Sequence, residues 1–234
     1  MKITSWNCCQ VLRNKYKGLT KFDKGQAKSD IYVIMECENP EKSSDSEYKK
    51  LLKNGFWKGT LNHKGLAIFS PDPNVKLELI DWPGKECEHF IPVRVNDVFT
   101  LVGVWACDPY CAMFYDYLQQ IKEYITKDTI FIGDFNSNIK FDKAQKKSGK
   151  TWSSCLSIAR EKGLVDIYNS IKGEDEGKET TPTFFLYRHL DRPDHIDHCL
   201  ANPDMIKSMK ILVKAEWLSL SDHLPLVVDV KSED

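Results

Sequence analysis

The sequence lacks an excess of charge of either sign. Its 234 residues carry 33 Lys and Arg against 34 Asp and Glu, which leaves a formal net charge of −1. A protein with this balance has no long-range attraction, as a whole, to nucleic acid or to an anionic membrane. Any affinity for a polyanion must therefore come from local clusters of basic side chains.

Long apolar runs are also lacking. The longest, such as Leu224–Val228, are far too short to cross a bilayer, and the N-terminal MKITSW has no long apolar segment of the kind found in signal peptides. These absences predict a cytoplasmic protein that does not bind membranes. Repeats, linkers and low-complexity tracts are lacking too, so we expect a single domain over residues 1–234. Nothing in the sequence predicts an oligomer.

The eight cysteines form no CxxC pair. Cys8 and Cys9 are adjacent and the others are scattered, which favours buried free thiols in a chain without an export signal. A zinc site at Cys107 and Cys111 is a weaker alternative.

What the sequence does contain is a series of short β-like runs with a few amphipathic helices between them. The predicted strands are Lys2–Trp6, Ile31–Met35, Gly65–Ser70, Leu77–Asp81, Phe90–Val95, Val98–Ala106, Thr129–Ile132, His195–Ala201, Ser208–Ala215 and Pro225–Val230. The predicted helices are Ser46–Asn54, Ala112–Lys127 and Trp152–Lys162, and Asn96-Asp97 is predicted to form a hairpin turn. Ten strands with only three helices favour an α/β fold in which two mostly antiparallel sheets pack together and the helices lie outside them. A regular βαβ repeat would need more helices.

Polar residues repeatedly end the apolar runs. Asn7 follows KITSW, Glu36 follows IYVIM, Asp134 follows IFIG, and Asp222-His223 precedes LPLVVDV. Such residues can gather at one rim of a sheet sandwich, where the strands below hold them rigidly. Taken singly, Asn7 or Asn136 is more often a turn former, and Glu36 a solvated strand end.

These residue types suit the hydrolysis of a phosphoester. Glu36, with Asn7 and Asp222, offers hard oxygen ligands for Mg²⁺ or Mn²⁺. Asp134 and Asn136 are two residues apart, so on an extended backbone they face the same way and can share a water or a phosphate oxygen.

His223 can be cationic near neutral pH if a carboxylate supports it, and Asp197 of the DHIDH stretch is the candidate. A buried salt bridge is the alternative role for Asp197. Asp166 is predicted to cap or brace a turn and is left out of the site.

Over nearly its whole length the chain resembles the endonuclease/exonuclease/phosphatase superfamily, which includes pancreatic deoxyribonuclease and the abasic-site endonucleases. The motifs that carry the resemblance occur in the family's order: SWN at 5–7, the strand ending at Glu36, GLAIFS at 65–70, GDFN at 133–136, GLVD at 163–166, HIDHCLA at 195–201 and SDHLP at 221–225. The resemblance implies a four-layer sandwich of the deoxyribonuclease I type and a metal-dependent phosphohydrolase activity.

The resemblance also implies a role for each residue. Glu36 binds the metal, with Asn7 and Asp222 as further ligands or as residues that orient the ligands. Asp134 orients or deprotonates the attacking water and Asn136 holds a phosphate oxygen. His223, paired with Asp197, stabilises the pentacovalent phosphorus; either Asp134 or His223 could act as the base, and we rank Asp134 first.

Two residues depart from the family pattern. Trp105 stands where relatives carry His or Tyr, and it can neither accept a proton nor ionise. A contact to the phosphate or leaving group is then missing, or is supplied by Asp108 or Tyr110. Met35 stands where relatives carry Gln, which removes a secondary amide contact.

The local charge is uneven despite the overall balance. Residues 13–28 and 140–150 are rich in lysine and directly follow site motifs, and TFFLYRHLDRPDH at 183–195 adds aromatic and basic side chains. Arg188, Arg192 and Tyr110 are the candidate substrate-binding residues; Phe185, Tyr187 and the two arginines could stack on bases or pack as a lid. We therefore expect a nuclease acting on DNA or RNA. The alternatives are a phosphatase or phosphodiesterase acting on a small or lipid phosphoester, and a non-catalytic nucleic-acid-binding module.

Overall fold

Two mixed six-stranded sheets form the centre of the molecule. The computed structural model describes residues 1–84 and 89–231, apart from the side chains of residues 20, 22 and 23. The strands are β1 Lys2–Asn7, β2 Ile31–Cys37, β3 Gly55–Leu61, β4 Lys64–Phe69, β5 Leu77–Leu79, β6 Phe90–Val95, β7 Phe99–Trp105, β8 Thr129–Asp134, β9 Val165–Asp166, β10 Phe184–Phe185, β11 Pro193–Asp194, β12 Asp197–Ala201, β13 Ile206–Ile211 and β14 Leu226–Val230.

The helices are short and lie between the strands. They are α1 Gly18–Lys21, α2 Ser46–Lys49, α3 Cys111–Ile121, α4 Asp142–Gln145, α5 Trp152–Glu161, α6 Ile167–Lys172 and α7 Ala215–Leu220. Asp45 caps α2 by accepting hydrogen bonds from the backbone N–H groups of Glu47 and Tyr48, and Thr151 caps α5. Within the described residues, no helix is both long and apolar enough to span a membrane.

The first sheet has the strand order β13-β14-β1-β2-β4-β3, and the second has the order β5-β6-β7-β8-β12-β9. Neighbouring strands are antiparallel except for one parallel pair in each sheet, β1 with β2 and β7 with β8. A two-stranded hairpin of β10 and β11 lies outside both sheets.

Alternation along the strands builds three apolar layers. Ile3 and Val33 of the first sheet meet Leu101 and Ile132 of the second between the sheets. The outer face of the second sheet packs against α3 and α5 through residues such as Phe114 and Trp152, and the outer face of the first packs around Trp6, Leu12 and Trp217. This arrangement confirms the predicted α/β sandwich.

All ten predicted strands and all three predicted helices form at least in part. The largest difference among the strands is at the predicted Ser208–Ala215, where β13 ends at Ile211 and Ala215 already begins α7. The predicted Ser46–Asn54 helix continues beyond α2 as a 3₁₀ turn, and the Ala112–Lys127 helix ends in one at Tyr124. Asn96 and Asp97 both have positive φ, as the predicted hairpin turn requires. The prediction missed β3, whose seven residues include two glycines and a lysine, together with the two-residue strands and the helices α1, α4, α6 and α7. Strands of two residues and helices of four to six depend on tertiary packing.

The cysteine prediction is confirmed for the part of the chain that the structure describes. Seven cysteines are free thiols, and most of them are buried. Cys111 lies against Cys155 rather than Cys107, with 3.5 Å between the two sulfur atoms. Cys87 lies outside the described residues.

Candidate active site

The two parallel strand pairs bring their carboxyl ends to one rim of the sandwich. Asn7 ends β1 beside Met35 of β2, and Trp105 ends β7 beside Asp134 of β8. A hydrogen bond of 2.9 Å from Asn7 Nδ2 to Asp134 Oδ2 joins the two sheets at this rim. The predicted gathering of polar strand ends is therefore present.

Glu36 reaches the rim because β2 bulges there. The pairing of β2 with β4 shifts register between Met35 and Cys37, and Glu36 has a left-handed backbone with φ of 60°. A β-bulge leaves one residue unpaired and re-aims its side chain. Glu36 thus turns away from a strand that is otherwise buried, and its side chain keeps 19% of its exposure.

Asp134 is 1% exposed and is held by the amides around it. It accepts hydrogen bonds from Asn7 Nδ2, from the backbone N–H of Asn136 at 2.9 Å and from Asn136 Nδ2 at 3.1 Å. Asn136 has φ of 47°, so it meets Asp134 through a tight turn and not along the extended backbone that the sequence suggested.

Gly133 allows β7 and β8 to approach closely just before Asp134. A Cβ atom added at Gly133 would lie 1.9 Å from the carbonyl oxygen of Val104. Only glycine fits this contact.

Asn7 presents its amide nitrogen, not its oxygen, to the carboxylates. Its Nδ2 also donates to Glu36 Oε1 at 3.3 Å, while its Oδ1 accepts the backbone N–H of Cys9 at 3.0 Å. In this arrangement Asn7 orients Glu36 and Asp134.

His223 lies between two carboxylates. Its Nδ1 donates to Asp197 Oδ2 at 2.8 Å, and its Nε2 lies 3.8 Å from Asp134 Oδ2. Asp197 pairs directly with Asp134 across β12 and β8, and the ring of Phe184 covers His223 at a centroid distance of 4.7 Å. The sequence-predicted support of His223 by Asp197 is therefore present as a direct hydrogen bond.

Burial and charge shift the protonation of this pair. Burial raises the pKa of Asp134, the charge of His223 lowers it and that of Asp197 raises it, so that it comes to about 7. Burial lowers the pKa of His223, but the carboxylates of Asp197 and Asp134 outweigh this effect and raise it to about 10. Near neutral pH the imidazole is therefore a cation, and Asp134 is poised to accept a proton.

Asp222 joins the site through its neighbours. Ser221 Oγ donates to the carbonyl of Asn7 at 2.7 Å and accepts the N–H of His223 at 3.1 Å, which fixes the turn that carries Asp222. Burial chiefly raises the pKa of the nearby Cys9 thiol, and the charges of Asp222 and Glu36 raise it further. The Cys9 thiol is thus near enough to both carboxylates for their charges to affect its pKa.

Lys64 was not predicted as a site residue. Its Nζ lies 3.3 Å from Glu36 Oε1 and 5.2 Å from the centroid of the Trp105 ring. Trp105 is buried and stands at the rim, at the position where the resemblance implies His or Tyr. In the sequence, Lys64 is only a lysine immediately before the GLAIFS strand. Its position in the site becomes evident when the two sheets are packed and Trp105 lies beside it.

A hairpin beside His223 carries the predicted substrate-binding arginines. We name β10, β11 and the residues 186–192 between them the rim hairpin; Phe184 of β10 is bridged to His223. Arg188 donates to the carbonyls of Ser219 and Leu220 at 3.2 and 3.3 Å, and the side chain of Arg192 is exposed.

The tip of the rim hairpin exposes Tyr187 and Leu190, by 75% and 71%. Phe185 was predicted to be available for stacking, but it is buried in the layer around Trp6. Tyr110 begins α3 in the loop after β7 and is half exposed, outside the hydrogen-bonded group of site residues.

The two lysine-rich segments follow β1 and β8 at the same rim. Lys15 donates to the carbonyls of Cys8 and Cys9 at 2.7 and 3.1 Å, so its ammonium group braces the turn after β1. Lys143 and Lys147 are exposed. Asp166 caps α6, as predicted, and also binds His198 Nδ1 at 2.6 Å.

The donor set at the rim fits a hard divalent cation. Glu36 and Asp222 offer carboxylate oxygens that are partly open to solvent, and Mg²⁺ or Mn²⁺ binds through one or two carboxylates while keeping several waters. Asp134, Asp197 and His223 also offer ligand atoms within 4.8 Å of one another. Because Asp197 and His223 already bind each other behind Phe184, Glu36 is the more accessible ligand.

Comparison with known proteins gives structural neighbours only. No protein-family model matches the chain, and no curated protein matches its sequence. The structure superposes on a 3′-5′ exonuclease (NExo) from Neisseria meningitidis with a TM-score of 0.70 and 19% identity, over 99% of this chain and 100% of that one. An AP endonuclease from Archaeoglobus fulgidus superposes with a TM-score of 0.73 and 18% identity, again over 99% of this chain and 100% of that one.

Two further neighbours extend this comparison. An AP endonuclease, LMAP, from Leishmania major gives a TM-score of 0.70 at 12% identity, over 99% of this chain and 88% of that one. A 3′ phosphatase NExo from Neisseria, bound to a product DNA hairpin, gives 0.70 at 18% over 99% and 100%. The chain therefore has the deoxyribonuclease I-like endonuclease/exonuclease/phosphatase fold.

Proposed function

We propose that this chain is a divalent-metal-dependent nuclease that hydrolyses phosphodiester bonds of DNA or RNA. One observation carries the proposal: Asp134 is buried, fixed by two asparagine amides and faced by a histidine that a second carboxylate holds in place. A solvated turn needs none of these contacts. This arrangement argues against a non-catalytic binding module with the same fold.

Within the proposal, Asp134 is the general base. A base with a pKa near the working pH combines the correct protonation state with enough driving force for proton transfer. His223 is a fixed cation that stabilises negative charge on the phosphoryl oxygens, and Asp197 holds its ring. Asn136 is the proposed contact for a phosphate oxygen. Because its Nδ2 donates to Asp134 Oδ2 at 3.1 Å and to the Ala106 carbonyl at 3.0 Å, that contact would replace one of these hydrogen bonds.

The metal ion in the proposal is Mg²⁺ or Mn²⁺, and when bound it supplies Lewis-acid polarisation of the phosphoryl group. Glu36 is the central ligand, Asp222 is a second ligand, and Asn7 orients Glu36. The partly exposed Glu36 carboxylate at the bulge supports this assignment.

The substrate is proposed to be DNA in the first place. One solved neighbour named above, a 3′ phosphatase, is bound to a product DNA hairpin, and two others are AP endonucleases by their titles. The exposed aromatic and basic tip of the rim hairpin, with Arg188 and Arg192, provides a surface that suits bases and phosphates. Tyr110 remains a third candidate contact. Because one neighbour is a 3′ phosphatase, a terminal phosphomonoester on DNA is the second candidate substrate.

We also propose that residues 1–234 act as one domain and that the protein works in the cytoplasm. The two sheets share one apolar layer, which supports a single unit. Free thiols throughout the described residues suit a reducing compartment.

The proposal is tested with a panel of plasmid, single-stranded, abasic and 3′-phosphorylated DNA together with RNA, in Mg²⁺, in Mn²⁺ and in chelator. We expect metal-dependent cleavage that chelator abolishes. Glu36→Gln should weaken Mn²⁺ binding in calorimetry by at least about tenfold without lowering the melting temperature, because it removes a ligand charge at an exposed rim position. Asp197→Asn is the matched comparison, because it removes a carboxylate from the second group of possible ligands, which is Asp134, Asp197 and His223. Cleavage that survives chelator would refute the metal assignment.

A further inference from the structure

Lys64 lies inside the candidate site, although the roles proposed so far do not use it. It begins β4, one residue before Gly65, which pairs with Cys37 immediately after the Glu36 bulge. Its ammonium group therefore stands beside the bulged carboxylate, 3.3 Å from Glu36 Oε1. A third of the side chain remains exposed, so the group also faces the open rim.

Trp105 holds the other side of Lys64. The ammonium lies over the Trp105 ring at 5.2 Å, and Trp105 belongs to β7 in the other sheet. A cation is attracted to the electron-rich face of an indole ring, more strongly when the pair is shielded from water. Lys64 thus ties the first sheet to the second at the rim, as Asn7 does by its bond to Asp134.

An ion pair with Glu36 does not by itself explain why a lysine lies at this point of the site. A metal ion bound by Glu36 would lie close to the ammonium group, and two cations near one carboxylate repel each other. Such an arrangement becomes favourable when an anion lies against both cations. A phosphate group carries that charge.

The contacts that link Lys64 to Asp134 are the basis for inferring which side of the phosphate Lys64 would meet. Contacts run from His223 to Asp134, from Asp134 through Asn7 to Glu36, and from Glu36 to Lys64. Asn7 and Glu36 separate Asp134 from Lys64 along this series of contacts, and we infer that the phosphorus lies between the water activated by Asp134 and the ammonium group. In an in-line displacement the leaving oxygen departs opposite to the attacking oxygen.

We propose, resting on the proposed hydrolase function, that Lys64 contacts the scissile phosphate on its leaving-group side and stabilises the charge of the departing oxygen. The water oxygen forms the new P–O bond and its proton passes to Asp134. The P–O bond to the leaving sugar breaks, its electron pair stays on the sugar oxygen, and that oxygen takes a proton from solvent. Lys64 remains an ammonium throughout, and the Trp105 ring beneath it serves as its support.

The test compares Lys64→Met with Lys64→Arg, which keeps the charge. Lys76→Met is the matched control, because Lys76 is an exposed lysine in two ion pairs near the opposite end of β6 and β7. On DNA with Mg²⁺, Lys64→Met should lower kcat about 10²-fold, as expected for the loss of a preorganised charge contact. Lys64→Arg should recover part of this loss, and Lys76→Met should match the wild type.

Two further measurements separate this role from a structural one. With thymidine 5′-(p-nitrophenyl phosphate), whose leaving group needs little stabilisation, Lys64→Met should lose less than about tenfold. DNA binding is also measured in Ca²⁺ at several salt concentrations. The salt slope, which is the slope of the logarithm of the binding constant against the logarithm of the salt concentration, should be about one unit smaller for Lys64→Met than for the wild type. Equal losses on both esters, or unchanged DNA cleavage, would overturn the leaving-group role.

The Ca²⁺ binding experiment also separates the two proposals. If the wild type hydrolyses no phosphoester, the proposed function fails, and a reduced salt slope in Lys64→Met would still support the phosphate contact. An unchanged slope would overturn that contact whether or not the wild type is a hydrolase.

Discussion

The buried site residues and the tip of the rim hairpin are adjacent, yet the protein holds them in opposite ways. Asp134, Asp197 and His223 are almost fully buried and each has fixed hydrogen-bond partners. A few residues away, Tyr187 and Leu190 are mostly exposed. Under the proposed function, the chemical step depends on geometry built into the sheets, whereas contact with a long substrate depends on the exposed surface. Substitutions in the two regions should therefore change different kinetic constants.

The largest effect is expected in the buried group. Asp134→Asn and His223→Ala should each lower kcat by at least roughly 10²-fold with little change in substrate affinity, because they remove the base and the fixed cation. The double variant should lose less than the product of the single losses, since both residues act on one transition state. Single-turnover kinetics measure this. A folded single variant with near-normal metal-dependent hydrolysis would contradict the assignment.

A smaller effect is expected from Asp197→Asn, about tenfold in kcat, because the imidazole stays in place. The sharper signal is the pH profile. Against the effect of burial, the carboxylates of Asp197 and Asp134 together raise the pKa of His223 to about 10. Removing the Asp197 charge lowers that pKa, so the imidazolium is lost at lower pH and the alkaline limb moves down. Asp197 also raises the pKa of Asp134, so the acid limb near pH 7 should move down as well. A profile with unmoved limbs would show that His223 does not act through its charge.

The rim hairpin should give the smallest effect on chemistry. Tyr187→Ala and Arg192→Ala should weaken DNA binding by about tenfold, in keeping with the loss of one stacking or phosphate contact. Turnover of bis(p-nitrophenyl) phosphate should stay at the wild-type level, because the hairpin tip lies outside the buried group. Tyr124→Ala, an exposed tyrosine just before β8 begins, is the control. If these variants lost DNA binding and turnover of the small ester to the same extent, the two regions would not have separate roles.

Much of this arrangement could be predicted from the sequence because it depends on local pattern. Apolar runs ending in Asn7, Glu36 and Asp134 identified the rim before any strand was placed. Other features depend on packing and had no local signal. β3 contains two glycines and a lysine and does not look like a strand, and the bulge that turns Glu36 outward appears only in the pairing with β4.

The same reasoning explains the misjudged residues. Phe185 lies in an aromatic and basic segment that resembles a binding loop, but the strand pairing of β10 and β11 directs it into the core. Lys64 precedes an ordinary strand, and its importance arises from contacts with Glu36 and Trp105, which come from distant parts of the chain. Contacts between sheets are where sequence patterns carry least information.

Gly133 has a practical consequence for anyone who screens this protein for loss of function. Any side chain at this position would collide with the Val104 carbonyl and force β7 and β8 apart. Those two strands carry Trp105 and Asp134, so the collision would displace the base from its neighbours. In a saturation library, position 133 should therefore be as intolerant as a catalytic residue although it touches no substrate. A map of intolerant positions would therefore show the proposed catalytic residues together with positions, such as 133, where no side chain fits.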